Sequence, residues 1–248
     1  MEHFNTKQFF ITIIAVAAIA YLIFYHKPEI APVRTDIPTS EPTATTAWPS
    51  AEVRQQKISE NTVVYTITAI YPVAESEAVT MYFKHFVDDQ IASFKNDVGG
   101  VPATEGQQVS LDISYRHQQA TRADAYVFTI ATDTGGAHGL QATKTFSFSA
   151  SGSPITLDLL FTNTDTALKS ISVYVQAELM KREFADVDWI KEGAAPTKDN
   201  YQQFVVTDDG ITFLFDPYQV APYAAGLQTV NVPKAIFAKQ ANSAYFSQ

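Results

Sequence analysis

The sequence predicts an α+β protein with a mainly antiparallel sheet and two amphipathic helices, preceded by one N-terminal transmembrane helix. Three observations carry this. One apolar run near the amino terminus is uncharged. Several β-branched, alternating runs are separated by Gly-, Asp- and Thr-rich connections, the pattern of half-buried strands. Two long segments instead place apolar residues at 3.6-residue spacing.

The apolar run is Phe9 to Tyr25, seventeen residues with Thr12 as the one polar side chain. As a helix it spans about 26 Å, close to a bilayer core of roughly 30 Å. Tyr21, Phe24 and Tyr25 fall where interfacial aromatics anchor a helix. Ala15-Val16-Ala17 and Ala18-Ile19-Ala20 resemble signal-peptidase sites, but the apolar run continues past both. An uncleaved anchor is therefore expected, with residues 1–8 as a short cytoplasmic tail and the carboxyl-terminal part outside the cytoplasm. Residues 26–50 hold Pro28, Pro32, Pro38, Pro42 and Pro49 among Thr, Ser and Ala. That composition gives a semi-rigid linker rather than a packed core.

From residue 51 the chain reads as a folded part, with an α/β module over 51–130 and a second domain over 131–240. A strand is expected over Asn61–Ala69. Val79, Phe83, Phe86, Val87, Ile91 and Phe94 then mark a helix over Glu77–Asp97, with Ser76 as its N-cap. Strands follow over Val109–His117, Ala123–Thr132 and Ala142–Ser149. The stripe Leu168, Ile171, Val175 and Leu179 predicts a helix over Asp165–Phe184. Lys191–Asn200 reads as a polar connection. Strands over Tyr201–Val206 and Ile211–Phe215 flank Asp209-Gly210, a hairpin signal. A short strand and turn are expected within Thr229–Phe237.

Composition narrows function. The chain has 248 residues, with 17 Lys+Arg against 26 Asp+Glu, a net charge of −9. Removing Lys7, Lys27 and Arg34, and Glu2, Glu29, Asp36 and Glu41, leaves about −8 on residues 51–248. Such a surface argues against nucleic-acid binding, which needs basic groups to displace counterions. With no cysteine, disulfides, thiolate metal sites and a cysteine nucleophile are excluded. No metal-ligand motif, P-loop lysine or G-x-S-x-G elbow is present, so no metal, cofactor or catalytic residue is expected. Asp186, Asp188, Asp208 and Asp209 are read as capping or solvated carboxylates.

Two constellations stand apart. Thr134-Gly135-Gly136-Ala137-His138-Gly139 sets one histidine among three glycines. Either His138 is a ligand or proton donor on an exposed loop, or the glycines permit positive φ and the imidazole holds the turn. His85 reads as surface packing, and His117 as the end of a strand beside Arg116. The second constellation runs from Asp216 to Gly226, with Pro217-Tyr218 and Pro222-Tyr223. It is a stiff tyrosine loop, suited either to partner contact or to covering a sheet edge.

These segments, with Lys144–Phe148 and Asp158–Phe161, resemble the extracellular domain of RsiV-type lysozyme-sensing anti-sigma factors. The same domain, of unknown function, occurs beside the catalytic domain of PdaC-type peptidoglycan deacetylases. The similarity covers about residues 130–237, with a weaker one over 60–115. It implies an exported α+β binding domain that is not an enzyme, with lysozyme or a cell-wall component as partner. About eight residues before the anchor and no catalytic domain after residue 237 leave the sigma-binding and deacetylase parts unexpected here. The binding candidates are Gly135, Gly136, His138, Pro217, Tyr218, Pro222 and Tyr223. A wall-directed hydrolase using His138 and a purely structural envelope protein are the alternatives.

Overall fold

The computed structural model describes residues 54–99, 108–136 and 138–246. The expected anchor and linker lie outside the described residues. Among the described residues no helix is long and apolar enough to cross a membrane.

The first strand, β1, is Gln55–Asn61, and β2 is Tyr65–Pro72. The strand expected over Asn61–Ala69 is β2 from Tyr65 onward; Asn61 ends β1, an unexpected strand, and residues 62–64 form the turn between them. Thr62 makes that turn, its Oγ1 accepting from the Val64 and Tyr65 amides. The sequence QQKISEN hides β1 because an edge strand with exposed polar side chains carries no strong apolar alternation. Helix α1, Glu77–Val98, buries Val79, Phe83, Val87, Ile91, Phe94 and Val98 along one stripe. Ser76 occupies the N-cap position, but its side chain makes no capping bond, contrary to expectation.

Strands β3 (Val109–Ala120), β4 (Ala123–Asp133) and β5 (Leu140–Phe148) complete a five-stranded sheet in the order β1-β2-β3-β4-β5. The β2–β3 pair is parallel and the other three pairs are antiparallel. This sheet is therefore mixed. The long α1 connection carries the chain back so that β3 starts at the same end as β2, which a tight hairpin cannot do. Residues 130 and 131 both lie within β4.

A 3-10 turn at Leu157–Leu160 leads to α2, Thr164–Leu179. Its buried stripe includes the expected Leu168, Ile171, Val175 and Leu179. Asn163 caps it, Oδ1 accepting from the Thr166 amide at 2.9 Å. The helix stops short of the expected Phe184. There Arg182 turns away to donate to Gln228 Oε1 and to the Thr229 carbonyl. A short helix, α3, Val187–Gly193, occupies part of the expected polar connection. Asp186 caps it by accepting from the Asp188 and Trp189 amides.

Strands β6 (Phe204–Thr207), β7 (Gly210–Phe215) and β8 (Gln228–Pro233) form a three-stranded antiparallel sheet, followed by α4, Lys234–Phe237. The β6–β7 turn is Asp208-Asp209, one residue earlier than the Asp209-Gly210 signal suggests. Gly210 is required for space rather than for φ: a Cβ there would sit 2.1 Å from the Val232 carbonyl oxygen.

Two hydrophobic cores result. One lies between α1 and the five-stranded sheet and centres on Phe83, Phe128 and Phe146. The other joins α2 to the smaller sheet around Tyr201, Phe213 and Phe215. A third cluster of Ala125, Val127, Val205 and Leu214 fuses them across the back of β4. Gln203 Oε1 accepts from the Thr145 amide at 2.8 Å, and the Phe204 amide donates to Thr145 Oγ1 at 3.0 Å. The described residues accordingly belong to one compact unit.

Candidate functional site

The tyrosine loop leaves β7 at Asp216 and is pinned from both sides. The Gln219 amide donates to the Asp216 carbonyl and the Tyr218 amide to the Ala221 carbonyl. Val220 and Ala221 are buried in the second core. Gln219 Nε2 donates to the carbonyls of Gly193 and Asn200 at 3.0 and 3.1 Å. Gly193 lets the loop approach, since a Cβ there would lie 1.8 Å from the Gln219 carbonyl oxygen. Such anchoring forces Tyr218 to φ 71°, the one positive φ at a non-glycine among the described residues. Left-handed backbone at a bulky residue is strained, and surrounding structure must over-determine it. Tyr218 is also 52% exposed. The loop thus holds an aromatic ring in solvent by means of buried neighbours.

The glycine–histidine loop joins β4 to β5. Gly135 has φ 79°, and its amide donates to Asp133 Oδ1 at 2.8 Å. His138 Nδ1 donates to the Gly139 carbonyl at 2.8 Å, which leaves Nε2 the acceptor in the neutral ring. The same carbonyl accepts from the Tyr223 hydroxyl at 2.6 Å. The His138 and Tyr223 rings stack with centroids 4.2 Å apart and planes inclined at 21°. Tyr218 continues the row, its centroid 5.5 Å from that of Tyr223.

The structure therefore brings His138, Tyr218 and Tyr223 together as an aromatic ledge. Pro217 and Pro222 shape the loop that carries the tyrosines; Pro222 is exposed and Pro217 half-buried. Gly135 and Gly136 are exposed and form the turn before His138. Sequence reasoning missed the supports Gly193, Gln219 and Asp216. Burial raises the Asp216 carboxyl above its ordinary range, and its Oδ1 is buried without a hydrogen-bond partner.

What the ledge can do follows from its surfaces. Half-exposed, pre-positioned rings offer apolar faces at little entropic cost, with hydroxyls at their rims. Proton transfer through His138 lacks a partner: among the described residues its polar contact is the carbonyl of the next residue. The described residues contain no group of three His, Asp or Glu placed to hold a metal ion. Asp208 serves the fold, its Oδ1 accepting from the Thr121 amide at 2.8 Å. His85 is exposed on α1. His117 is buried at the rim of a separate cavity.

Residues 158–235 match the family model described as a protein of unknown function, DUF3298. The esterase Rv3036c of Mycobacterium tuberculosis is 32% identical over 181 residues, covering 69% of this chain and 76% of that protein. The chain belongs to the DUF3298 family. The peptidoglycan-N-acetylmuramic acid deacetylase PdaC of Bacillus subtilis is 26% identical over 236 residues, 93% of this chain and 49% of the deacetylase. The immunogenic protein MPT64 of Mycobacterium tuberculosis is 36% identical over 112 residues, 45% of this chain and 49% of that protein. The chain spans about half the length of these last two relatives. Two solved DUF3298 proteins share the fold. That of Bacteroides fragilis has a TM-score of 0.51 at 19% identity and covers 78% of this chain and 95% of its own. That of Pseudomonas aeruginosa has 0.52 at 13%, covering 79% and 98%. The expectation that the chain is not an enzyme is corrected here, because two curated relatives are named as a deacetylase and an esterase.

Proposed function

We propose that the chain is a cell-envelope recognition protein, and that the ledge of Tyr218, Tyr223 and His138 is its contact surface for the glycan of the wall. The observation that carries this is Tyr218 itself, a strained and exposed tyrosine held by a buried, hydrogen-bonded loop. Strain maintained at an exposed aromatic points to use of that ring rather than to packing. A flat row of rings matches the apolar faces of sugar rings. A net charge of about −8 on residues 51–248 disfavours anionic wall polymers and leaves uncharged glycan as the better ligand. The relation to a peptidoglycan deacetylase supports a ligand of this class. In this reading residues 9–25 tether the recognition part outside the cytoplasm. Glycan contact at the ledge is compatible with chemistry elsewhere on the chain.

A protein partner is the second reading, favoured by the same charge. Animal-type lysozyme is basic, and a surface of this charge attracts it over a Debye length of about 8 Å. This is the role that the sequence resemblance to the lysozyme-sensing domains would imply.

Calorimetry of the full chain against solubilised wall glycan and against lysozyme tests both. Glycan binding that Tyr218→Ala and Tyr223→Ala each weaken about tenfold, roughly 1.4 kcal/mol, is the expected result. Binding to lysozyme alone moves the ledge to the protein-partner reading. Absence of binding to either ligand removes both.

A further inference from the structure

A cavity of about 660 Å³ opens where the amino end of α1 meets the β3–β4 hairpin and the turn after β5. Its size falls in the range of small-ligand sites, roughly 300–1,000 Å³. Arg54, Glu75, Ser76, His117, Asp124 and Ser151 converge on it from five parts of the chain. Val79, Tyr126 and Phe148, all buried, form the apolar floor.

The polar groups occupy positions that the sheet elsewhere gives to its core. Along β3, Val109, Leu111 and Ile113 face α1, and period-2 alternation puts His117 on the same face. Along β4, Asp124 shares its face with Tyr126 and Phe128. His117 is 8% exposed. Its Nε2 lies 3.4 Å from Asp124 Oδ1, and its ring stacks on Tyr126 at 4.5 Å. A buried imidazole on a core face, beside a carboxylate whose side chain is 34% exposed, costs stability that valine or leucine there would not. Ser76 is similar: it stands at a helix start yet its hydroxyl is not used as a cap. Arg54 and Glu75 stand exposed at the cavity's rim. Ser149, Ser151 and Ser153 add a chain of hydroxyl contacts at 2.9 and 3.3 Å on the adjoining turn.

We propose that this cavity is a binding site for a small acylamino carboxylate, distinct from the aromatic ledge and independent of its role. Arg54 supplies a cation for the carboxylate. The serine hydroxyls accept or donate to the amide, and Glu75 and Asp124 accept from amide or hydroxyl hydrogens. The apolar floor receives the acyl methyl group. A peptide carboxyl end and an N-acetylated sugar acid share this chemistry.

Calorimetry of the full chain with N-acetyl-alanyl-alanine, N-acetylmuramic acid and uncharged N-acetylglucosamine tests the site. One or both of the carboxylates should bind, and N-acetylglucosamine at least tenfold more weakly. Arg54→Gln, at an exposed position whose change leaves the core intact, and Ser76→Val should each weaken binding at least tenfold. Tyr218→Ala should leave dipeptide binding unchanged, which separates this site from the ledge. Binding of the dipeptide alone assigns a peptide source, and of the sugar acid alone a glycan source. Failure of both carboxylates at about 1 mM, equal binding of N-acetylglucosamine by the Tyr218→Ala variant, whose ledge is disabled, or full affinity in Arg54→Gln overturns the proposal.

Discussion

The two halves of the folded chain solve different problems. Residues 54–148 lay one long helix on a five-stranded mixed sheet and leave a polar cavity at one end. Residues 155–246 enclose a three-stranded sheet with shorter helices and spend buried contacts on holding one surface loop. In the first half the candidate site is an opening in the core. In the second it is a projection supported by the core. A projecting site needs stiff local sequence, whereas a cavity needs only that distant residues meet.

The sharpest way to break this contrast is to ask whether the halves are separable. Phe83→Ala and Phe213→Ala each empty a fully buried ring position in a different core. Each should cost about 3–5 kcal/mol. Because β4 carries side chains into both cores and the Ala125–Leu214 cluster fuses them, both variants should melt in one transition, read by calorimetry and circular dichroism together. Two separate transitions would show that the halves fold alone.

Gly193→Ala comes next. The new methyl group overlaps the Gln219 carbonyl, so the tyrosine loop must move. A loss of about 1–3 kcal/mol is expected, together with loss of glycan binding, measured by melting and calorimetry. Retained binding would show that the loop anchor is dispensable.

Asp216→Asn tests the support beneath the ledge through pH. Burial raises the folded carboxyl above its ordinary value of 3.8. Between that value and the raised one, the folded chain keeps a proton that the unfolded chain has lost. Stability therefore falls as pH rises through this window and stays lower at neutral pH. Asp216→Asn should melt higher than the parent at pH 7, and the gain should vanish below the ordinary carboxylate value. A lower melting temperature at every pH would contradict it.

The smallest effect is expected at Lys95, whose ammonium lies 2.7 Å from Glu60 Oε1 on the first half's surface. The pair raises the Lys95 ammonium and lowers the Glu60 carboxyl. Exposure limits its worth to under about 1 kcal/mol, so Lys95→Ala should shift the melting temperature only slightly.

The same contrast explains what the sequence disclosed. Both long helices, three of the long strands and the β6–β7 hairpin were legible because periodicity and turn chemistry are local. The tyrosine and glycine–histidine loops stood out for a related reason, since positive φ and stiffness demand particular residues at particular places. That the two loops stack was not legible, because a ring contact between His138 and Tyr223 depends on how two sheets dock. The parallel β2–β3 pair was missed with β1, a polar edge strand without an apolar signature. His117 read as an ordinary strand end until β4 set Asp124 and Tyr126 beside it. Ser76 followed the capping rule in position and broke it in bonding.

One titration bears most directly on the central claim. The full chain and its Tyr218→Ala variant are titrated with solubilised wall glycan, with melting curves recorded for both. Saturable binding by the parent, weakened about tenfold in a variant of nearly unchanged stability, is predicted, since alanine removes a half-exposed ring and none of the core. Equal binding by the two proteins would contradict it.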